Sequence, residues 1–185
     1  MTTGSLHQTA AALEKRIRAN RLLDLPVVWA DELVYPYYDG LSLRNVVHSA
    51  AALLGVALPA SAPLDPAVWG GAAPGGDIDR VVLVGIDGMG YRFLNQLAEE
   101  DPETAEAVRR LTEGRGPVPL TSVAPSTTCV ALTTLWTGLN PASHGVLGTH
   151  AWLREFSMPA NLLFWKPTFG NLRTDTFADW GIPFT

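Results

Sequence analysis

The sequence feature that most restricts the fold is an apolar run that ends abruptly in one carboxylate. Residues 81–86 read Val-Val-Leu-Val-Gly-Ile, and Asp87 follows them directly. A run that is apolar at nearly every position is typical of a strand buried on both faces of a parallel sheet. Ligand sites in open α/β sheets lie at the carboxyl ends of such strands. The run therefore predicts an α/β fold and places Asp87 at a candidate site.

A carboxylate at the end of a buried strand costs free energy unless a cation meets it. A metal ion is one such cation. The alternative is a turn in which the Asp87 side chain caps the following helix. A dinucleotide-binding loop is disfavoured, because the glycines at 85, 88 and 90 do not follow the G-x-G-x-x-G order. Gly88 and Gly90 instead predict a tight turn and close packing under the site.

Helical and strand-like segments alternate along the chain. The predicted helices cover residues 6–23, 42–54, 89–99, 104–111 and 128–136, the predicted strands cover 80–86 and 117–123, and 56–78 is a predicted linker. This order predicts right-handed strand–helix–strand connections in a parallel sheet. Residues 150–185 are rich in aromatic side chains and carry no clear period, and the chain ends like an interrupted domain.

Composition excludes several classes of function. The chain of 185 residues has a formal net charge of −5 and no basic stripe, which disfavours a nucleic-acid duplex as partner. Its single cysteine, Cys129, excludes an internal disulfide and a multi-cysteine zinc site. Residues 1–21 lack the apolar core of a signal peptide, and no stretch is long enough to span a membrane. We therefore expect a cytoplasmic protein with no membrane partner.

Hydroxyl side chains mark a second candidate site, where Pro125-Ser126-Thr127-Thr128 opens an apolar helix. The positive end of a helix favours an anion there, but by only about 0.3–2 kcal/mol. A metal bound to the hydroxyl would lower its pKa much further, and Asp87 could be one ligand. Thr128 and Asp87 thus form half of a metal-activated nucleophile. An ordinary helix cap is the alternative for Thr128, and Thr127 is the other candidate nucleophile.

Three motifs together resemble a known family. They are Ile86-Asp87-Gly88, Pro125-Ser126-Thr127-Thr128 and the run from Thr137 to Gly145, which reads Thr-Gly-Leu-Asn-Pro-Ala-Ser-His-Gly. Their order and spacing are similar to those of the type I phosphodiesterase/nucleotide pyrophosphatase family of the alkaline phosphatase superfamily. The resemblance is good over residues 80–150.

The resemblance implies an alkaline-phosphatase-like α/β sandwich with a mostly parallel sheet flanked by helices. It implies hydrolysis of a phosphodiester or nucleotide pyrophosphate bond in a small-molecule substrate. Thr128 would be the nucleophile and, with Asp87, a ligand in a centre of two divalent metals, most simply Zn²⁺. Residues 1–78 would be a helical extension and linker, and 79–185 the amino-terminal part of the catalytic domain.

Two departures from the family pattern qualify this prediction. Thr149 stands where the family often has an asparagine that contacts the substrate phosphate, so Thr149 is assigned to substrate binding. The family's other metal ligands have no match in residues 150–185, and we expect them beyond residue 185. A truncated, inactive fragment or an anion-binding module is therefore the alternative function. Phosphomonoesterase and phosphonate hydrolase activities are the alternatives within the superfamily.

Two further side chains near these motifs are assigned structural roles. His144 follows a short helical signal, and we expect it to hydrogen-bond the backbone rather than to act as a ligand. Cys129 directly follows the candidate nucleophile but has no histidine partner in the pattern, so we expect it to pack in the interior as part of a buried helix.

Overall fold

The computed structural model describes residues 3–21, 32–60, 62–71, 73–168 and 176–181. The chain divides into two compact units between Ser122 and Val123. The elements of the first unit are helices α1 (Thr3–Ala19), α2 (Leu43–Leu53), α3 (Tyr91–Glu100) and α4 (Pro102–Leu111), with a 3-10 turn at Pro66–Trp69. Those of the second are α5 (Thr128–Thr137), α6 (Pro141–His144), β1 (His150–Leu153), β2 (Met158–Asn161) and β3 (Lys166–Pro167), with 3-10 turns at Arg154–Phe156 and Ala178–Trp180.

The core of the first unit forms around one face of α1. Leu13 and Ile17 lie one turn apart on that face and are buried against Leu41. The opposite face carries charged residues, as the helical period of the sequence predicts. Partly buried side chains complete the cluster, namely Tyr37, Ala67, Val68, Val118 and Leu120.

The side chain of Asn45 holds the irregular segments of this unit. Its amide donates to the carbonyls of Tyr38 (2.9 Å) and Ala62 (2.7 Å), and its oxygen accepts from the Ser42 amide at 2.9 Å. Because Asn45 and Ser42 are fully buried, each bond satisfies a polar group that would otherwise be costly to remove from water. Asn45 thereby links the start of α2 to the loop that returns after it.

Thr121 joins the end of the first unit to the segment before α2. Its amide donates to the Leu41 carbonyl at 2.8 Å, and its carbonyl accepts from Leu43 at 3.0 Å. Its hydroxyl donates to Leu41 at 2.9 Å and accepts from the Tyr37 amide at 2.9 Å. The two hydroxyl contacts join residues 80 and 84 positions apart in the sequence, and Ser42 and Thr121 form a single parallel bridge.

A small antiparallel sheet organises the second unit. In β1 and β2, His150 pairs with Asn161 and Leu153 with Met158. β3 adds to the other edge of β2. The Phe177 ring is fully buried and packs against Phe156 and Trp165, with ring centroids 5.4 Å and 4.9 Å apart. Aromatic packing therefore joins Phe177 to the turn between β1 and β2 and to the residue before β3.

The predicted buried strand at 80–86 is wrong. Residues 80–86 belong to no helix or strand, and every one of them is exposed. A strand that is apolar on both faces needs neighbouring strands and covering helices, and nothing among the described residues supplies them. The turn after it is confirmed, with Gly88 at a φ of +72°.

The second predicted strand, 117–123, is also wrong, apart from the single bridge at Thr121. The described residues contain helices and a three-stranded antiparallel sheet, so α/β content is confirmed while the parallel alkaline-phosphatase-like sandwich is not shown. The sheet lies in the stretch 150–167, where the sequence predicts no element, because the hairpin depends on cross-strand contacts rather than on a local period.

The helices agree better with the sequence. Predicted helices at 42–54, 89–99, 104–111 and 128–136 match α2 to α5 within about two residues at each end. The helix predicted at 6–23 is α1, which ends at Ala19, and residues 22 and 23 lie outside the described residues. The functional boundary predicted at residue 78 does not coincide with the division after Ser122, and it stays a prediction.

The helices of the described residues are short or polar. None of them has both the length and the hydropathy needed to cross a bilayer.

We expect Asn45→Ala to lower the free energy of unfolding by about 2–4 kcal/mol, because it leaves two carbonyls and the buried Ser42 amide without these partners. Chemical denaturation measures this change. Gln96→Ala is the matched control, since Gln96 is a helical amide whose bond to Glu100, at 2.8 Å, is exposed. A loss from Asn45→Ala no larger than that of the control would contradict the role assigned to Asn45.

Candidate functional site

The amino-terminus of α5 carries the predicted nucleophile. Thr127 is the N-cap residue in extended backbone, and Thr128 is the first residue of the helix. Thr127 makes no side-chain capping bond, so the first-turn amides of α5 are not satisfied by that hydroxyl. Both threonines are partly buried, whereas Ser126 is exposed. The helix end therefore presents backbone donors and two hydroxyls in one place.

The Thr127 hydroxyl oxygen is buried and has no hydrogen-bond partner among the described residues. A buried hydroxyl in this state costs free energy, and in native proteins such groups usually have a partner. Its position at a helix N-cap places it beside the positive end of the helix dipole. The structure thus leaves Thr127 open as the alternative nucleophile or as a donor to an anion.

Two other helices, α4 and α6, fill this position with their own side chains, whereas α3, whose N-cap is Gly90, also has no side-chain cap. The Asp101 carboxylate caps α4 and accepts from the Thr104 amide at 2.8 Å. The Asn140 side chain caps α6 and accepts from the Ser143 amide at 2.9 Å. A carboxylate or amide oxygen of the protein already satisfies backbone amides at those two ends. An external anion would have to displace it at those two ends.

The body of α5 is anchored by buried residues. Cys129, Val130 and Thr134 face the interior, and Val130 and Thr134 are fully buried. Cys129 is buried, which confirms the prediction that its side chain packs in the interior. The Thr133 hydroxyl donates a hydrogen bond to the Cys129 carbonyl at 2.7 Å. The start of α5, where the predicted nucleophile lies, is therefore held by the packing of the helical turns that come after it.

The motif at the end of α5 has a structural explanation at several of its positions. Gly138 ends the helix at a φ of +69°, and Gly145 ends α6 at a φ of +76°, a region that residues with a Cβ seldom adopt. Asn140 caps α6 and Pro141 begins it. The motif therefore forms the end of α5 and, directly after it, the whole of the short helix α6.

His144 joins the two helices. Its Nδ1 accepts from the Val146 amide at 3.1 Å, so Nε2 carries the proton and donates to the Thr134 hydroxyl at 3.1 Å. Both ring nitrogens are occupied, and a metal would find neither one available in this arrangement. This geometry supports the structural role predicted for His144. Burial lowers the pKa of the imidazole below its usual range.

Asp87 lies in the first unit, at an exposed turn with Gly88. The prediction that burial would force a cation onto this carboxylate does not hold there, because the side chain is open to water. A role as a metal ligand is a separate matter, since exposed carboxylates also bind metals. An added Cβ at Gly88 would meet no atom within 4 Å, so Gly88 is needed for its backbone angle rather than for close packing.

Thr149 lies in the second unit, one residue before β1, and is partly buried. Its carbonyl accepts from the Leu162 amide at 2.7 Å, which extends the pairing of β1 with β2. The backbone of Thr149 is thus part of the sheet. Its assignment to substrate binding stays a prediction.

A metal centre needs several ligands close together. The described residues contain no group of three or more His, Cys, Asp or Glu side chains placed to hold a metal ion. Asp87 and Thr128, one in each unit, do not by themselves fit a two-zinc centre. The predicted metal centre therefore requires ligands in addition to these two.

Two structural residues of the site carry different signals in the sequence. Thr134, the buried partner of His144, has no local signal, because a threonine in the middle of an apolar helix meets its partner ten residues further along the chain. Asn140 has one, since Asn-Pro after a glycine is a recognisable helix start. The sequence singled out neither residue, and only Asn140 has a local signal by which it could have been identified.

Comparison with known proteins agrees with the motifs. A family model described as Type I phosphodiesterase / nucleotide pyrophosphatase matches residues 81–167, a little under half of the chain. The match confirms the resemblance over the segment that contains Asp87, Thr128 and the Thr137–Gly145 motif. No curated protein and no solved structure matches the chain.

We expect stability to fall as the pH is lowered from about 6.5 through the depressed pKa of His144. The unfolded chain takes up this proton first, and a protonated Nδ1 can no longer accept from Val146. In His144→Gln this part of the pH dependence should disappear. Thermal unfolding between about pH 5 and 7.5 measures it. An unchanged pH slope in the variant would contradict the assigned hydrogen bonds.

Proposed function

We propose that this protein hydrolyses a phosphodiester or nucleotide pyrophosphate bond, with the Thr128 hydroxyl as nucleophile. The observation that carries the proposal is the amino-terminus of α5. Thr128 begins a helix that lacks a side-chain cap, within the residues that the family model matches. The name of that family indicates the reaction class, and the start of α5 carries the hydroxyl that would attack phosphorus.

The proposed reaction has two displacements at phosphorus. The Thr128 oxygen forms a bond to phosphorus, the bond to the leaving oxygen breaks, and the hydroxyl proton passes to solvent. Water then attacks the phosphothreonine, which releases the phosphate monoester and returns the hydroxyl. A covalent intermediate of this kind divides one difficult step into two easier ones.

The first turn of α5 would stabilise the charge that develops on the phosphoryl oxygens. Backbone amides directed at these oxygens need no reorganisation during the reaction. The Thr127 hydroxyl, buried without a partner among the described residues, is our candidate for a further donor. The packing of Val130 and Thr134 would hold these donors in place relative to Thr128.

We propose Asp87 as a metal ligand and Zn²⁺ as the metal. The described residues alone do not fit the two-metal centre. In this proposal its further ligands come from outside them, in keeping with the expectation of ligands beyond residue 185. The catalytic domain is proposed to begin near residue 79, close to where the family match begins. Thr149 is proposed to contact the substrate phosphate.

An anion-binding module without turnover is the second candidate function. The observation that favours it is the lack of a three-ligand group among the described residues. Such a module would use the same amides and hydroxyls of α5 to hold a phosphate, as helix ends commonly do. The two candidates share the binding step and differ in whether a bond to phosphorus breaks.

Both candidates predict that a phosphodiester binds at the start of α5. We expect dimethyl phosphate to shift the amide resonances of residues 127–130 in ¹H–¹⁵N spectra, with saturation in the millimolar range, on the order of 1–10 mM. The start of α4 is the internal control, because the Asp101 carboxylate already accepts from its first turn. Equal shifts at the two helix ends, or none at α5, would contradict the binding site.

Hydrolysis of bis(p-nitrophenyl) phosphate with added zinc separates the two candidates. In the active enzyme, we expect Thr128→Ala to lower the rate roughly a thousandfold or more, because the nucleophile is lost. Thr128→Ser should keep a measurable part of the rate, and mass spectrometry of acid-quenched protein should find the phosphoryl adduct on Thr128. Thr127→Ala is the matched control and should retain the adduct.

The outcomes of this experiment are distinct. An adduct on Thr127 would move the nucleophile to that residue. Binding of the phosphodiester without any turnover of the 185-residue chain would favour the anion-binding module for this chain. Faster turnover of p-nitrophenyl phosphate than of the diester would favour the phosphomonoesterase alternative.

A further inference from the structure

One face of the three-stranded sheet carries a row of polar side chains beside an exposed tryptophan. His150 pairs with Asn161 across β1 and β2, and Asn161 pairs with Lys166 across β2 and β3. Directly paired residues of antiparallel strands point to the same side, so these three side chains share one face. Trp152 lies two residues after His150 in β1 and points the same way. It is 64% exposed, whereas Ala160, on the other face, is fully buried.

Asn161 determines which nitrogen of the His150 ring carries the proton. The Asn161 side-chain oxygen accepts from the backbone amides of Leu163 and Phe164 at 3.0 and 3.1 Å. The NH₂ group of the same side chain therefore faces His150 Nε2, which is 3.3 Å away. Because an amide NH₂ only donates, Nε2 accepts, and the proton of the neutral ring lies on Nδ1. His150 Nδ1 is thus a donor, and it has no acceptor in the part of the chain that the structure describes.

Lys166 supplies the positive charge of this face. Its Nζ lies 5.3 Å from the centroid of the Phe164 ring, a cation–π contact that holds the ammonium group without neutralising it. Lys166 forms no ion pair with any of the described residues. Residues 150–168 contain one acidic residue, Glu155, and it lies in the turn at the opposite end of β1 from His150. The row therefore offers hydrogen-bond donors and a positive charge without a carboxylate beside them.

We propose that this face of the sheet binds a small aromatic anion, which is a flat ring that carries a phosphate, phosphonate or carboxylate group. The ring stacks on the indole of Trp152, and the anionic group accepts hydrogen bonds from His150 Nδ1 and Lys166 Nζ. The site shares no residue with the start of α5, and it goes beyond the phosphodiesterase proposal.

The spacing across the strands suits one such ligand. Neighbouring strands are about 5 Å apart, so the backbones of His150 and Lys166 are about 10 Å apart, with Asn161 between them. An anionic group above Asn161 is therefore within reach of donors from both sides. Trp152 is the diagonal neighbour of Asn161, at about 7–8 Å, a distance that one ring and the bond to its anionic group can span.

Charge and exposure favour this class of ligand over the alternatives. A bare anion would contact the row but leave the Trp152 ring uncovered. An uncharged ring would cover Trp152 but leave the charge of Lys166 unmet. A long polyanion such as a nucleic acid is disfavoured by the formal net charge of −5. An aromatic anion matches both the exposed indole and the positive charge.

Titration of the 185-residue chain with phenylphosphonate tests the site, because this compound has no phosphoester bond that the proposed reaction could break. The readout is the indole Nε1–H resonance of Trp152 in ¹H–¹⁵N spectra, which is assigned by its loss in Trp152→Leu. We expect this resonance to shift with saturation on the order of 1–10 mM. Shifts at residues 127–130 report the separate site at the start of α5, so failure there leaves this measurement unaffected.

Three further probes identify what the site recognises. Inorganic phosphate and benzyl alcohol, which carry only the anionic group or only the ring, should each bind at least about fivefold more weakly than phenylphosphonate. Benzoate should also shift the Trp152 resonance, and the tighter of the two aromatic anions shows whether a phosphonate or a carboxylate is preferred. Equal affinity for phosphate alone or for the alcohol alone would overturn the proposal.

Lys166→Gln should weaken phenylphosphonate binding at least about fivefold, because it removes the charge and keeps a side chain of similar length. His150→Phe, which keeps a flat ring and removes the Nδ1 donor, should also weaken binding. Arg154→Gln is the matched control, since Arg154 is a cation of the same hairpin at the other end of β1, and its affinity should stay within about twofold of the wild type. Unchanged resonances outside residues 150–168 confirm that each variant is folded.

Trp136 is the internal control for the aromatic contact. It is 81% exposed, and residues 123–149 around it contain no Lys or Arg. Equal shifts of the Trp136 and Trp152 indoles would show stacking without a site and would overturn the proposal. The absence of any shift at Trp152, or equal losses of affinity in Lys166→Gln and Arg154→Gln, would overturn it as well.

Discussion

The hydrogen bond between the Thr134 hydroxyl and His144 Nε2 is the constraint on which the candidate site most depends. Thr134 is fully buried in the middle of α5, and His144 is the last residue of α6. Because Nδ1 accepts from Val146 at the same time, the ring cannot rotate without leaving a buried polar group unpaired. The bond thereby fixes the path of the chain after α5, and α6 in turn holds the helix that carries Thr128.

This constraint explains why a recognisable motif extends so far from any reactive group. Gly138 and Gly145 permit two helix ends that other residues would strain, and Asn140 satisfies the first turn of α6. These positions shape the backbone around α6. The motif is best understood as a support for α5, the helix at whose start Thr127 and Thr128 lie.

The sequence was most informative where structure is local. Helices α2 to α5 could be predicted because their apolar periods and end signals lie within the same dozen residues. The antiparallel sheet could not, because β1 and β2 are stabilised by each other and by the Phe177 packing, which residues 150–167 do not encode as a period. Of the site, sequence located the Thr128 helix end and the structural role of His144, but not the Thr134 partner that makes this role possible.

The run at 81–86 shows a limit of a different kind. Its apolar pattern indicates that these residues need to be buried, but it does not indicate which part of a protein buries them. Within the described residues nothing does, so the same valines that predict a buried strand are exposed. An apolar run therefore predicts that its residues need burial, whereas the elements that would bury them are not encoded within the run itself.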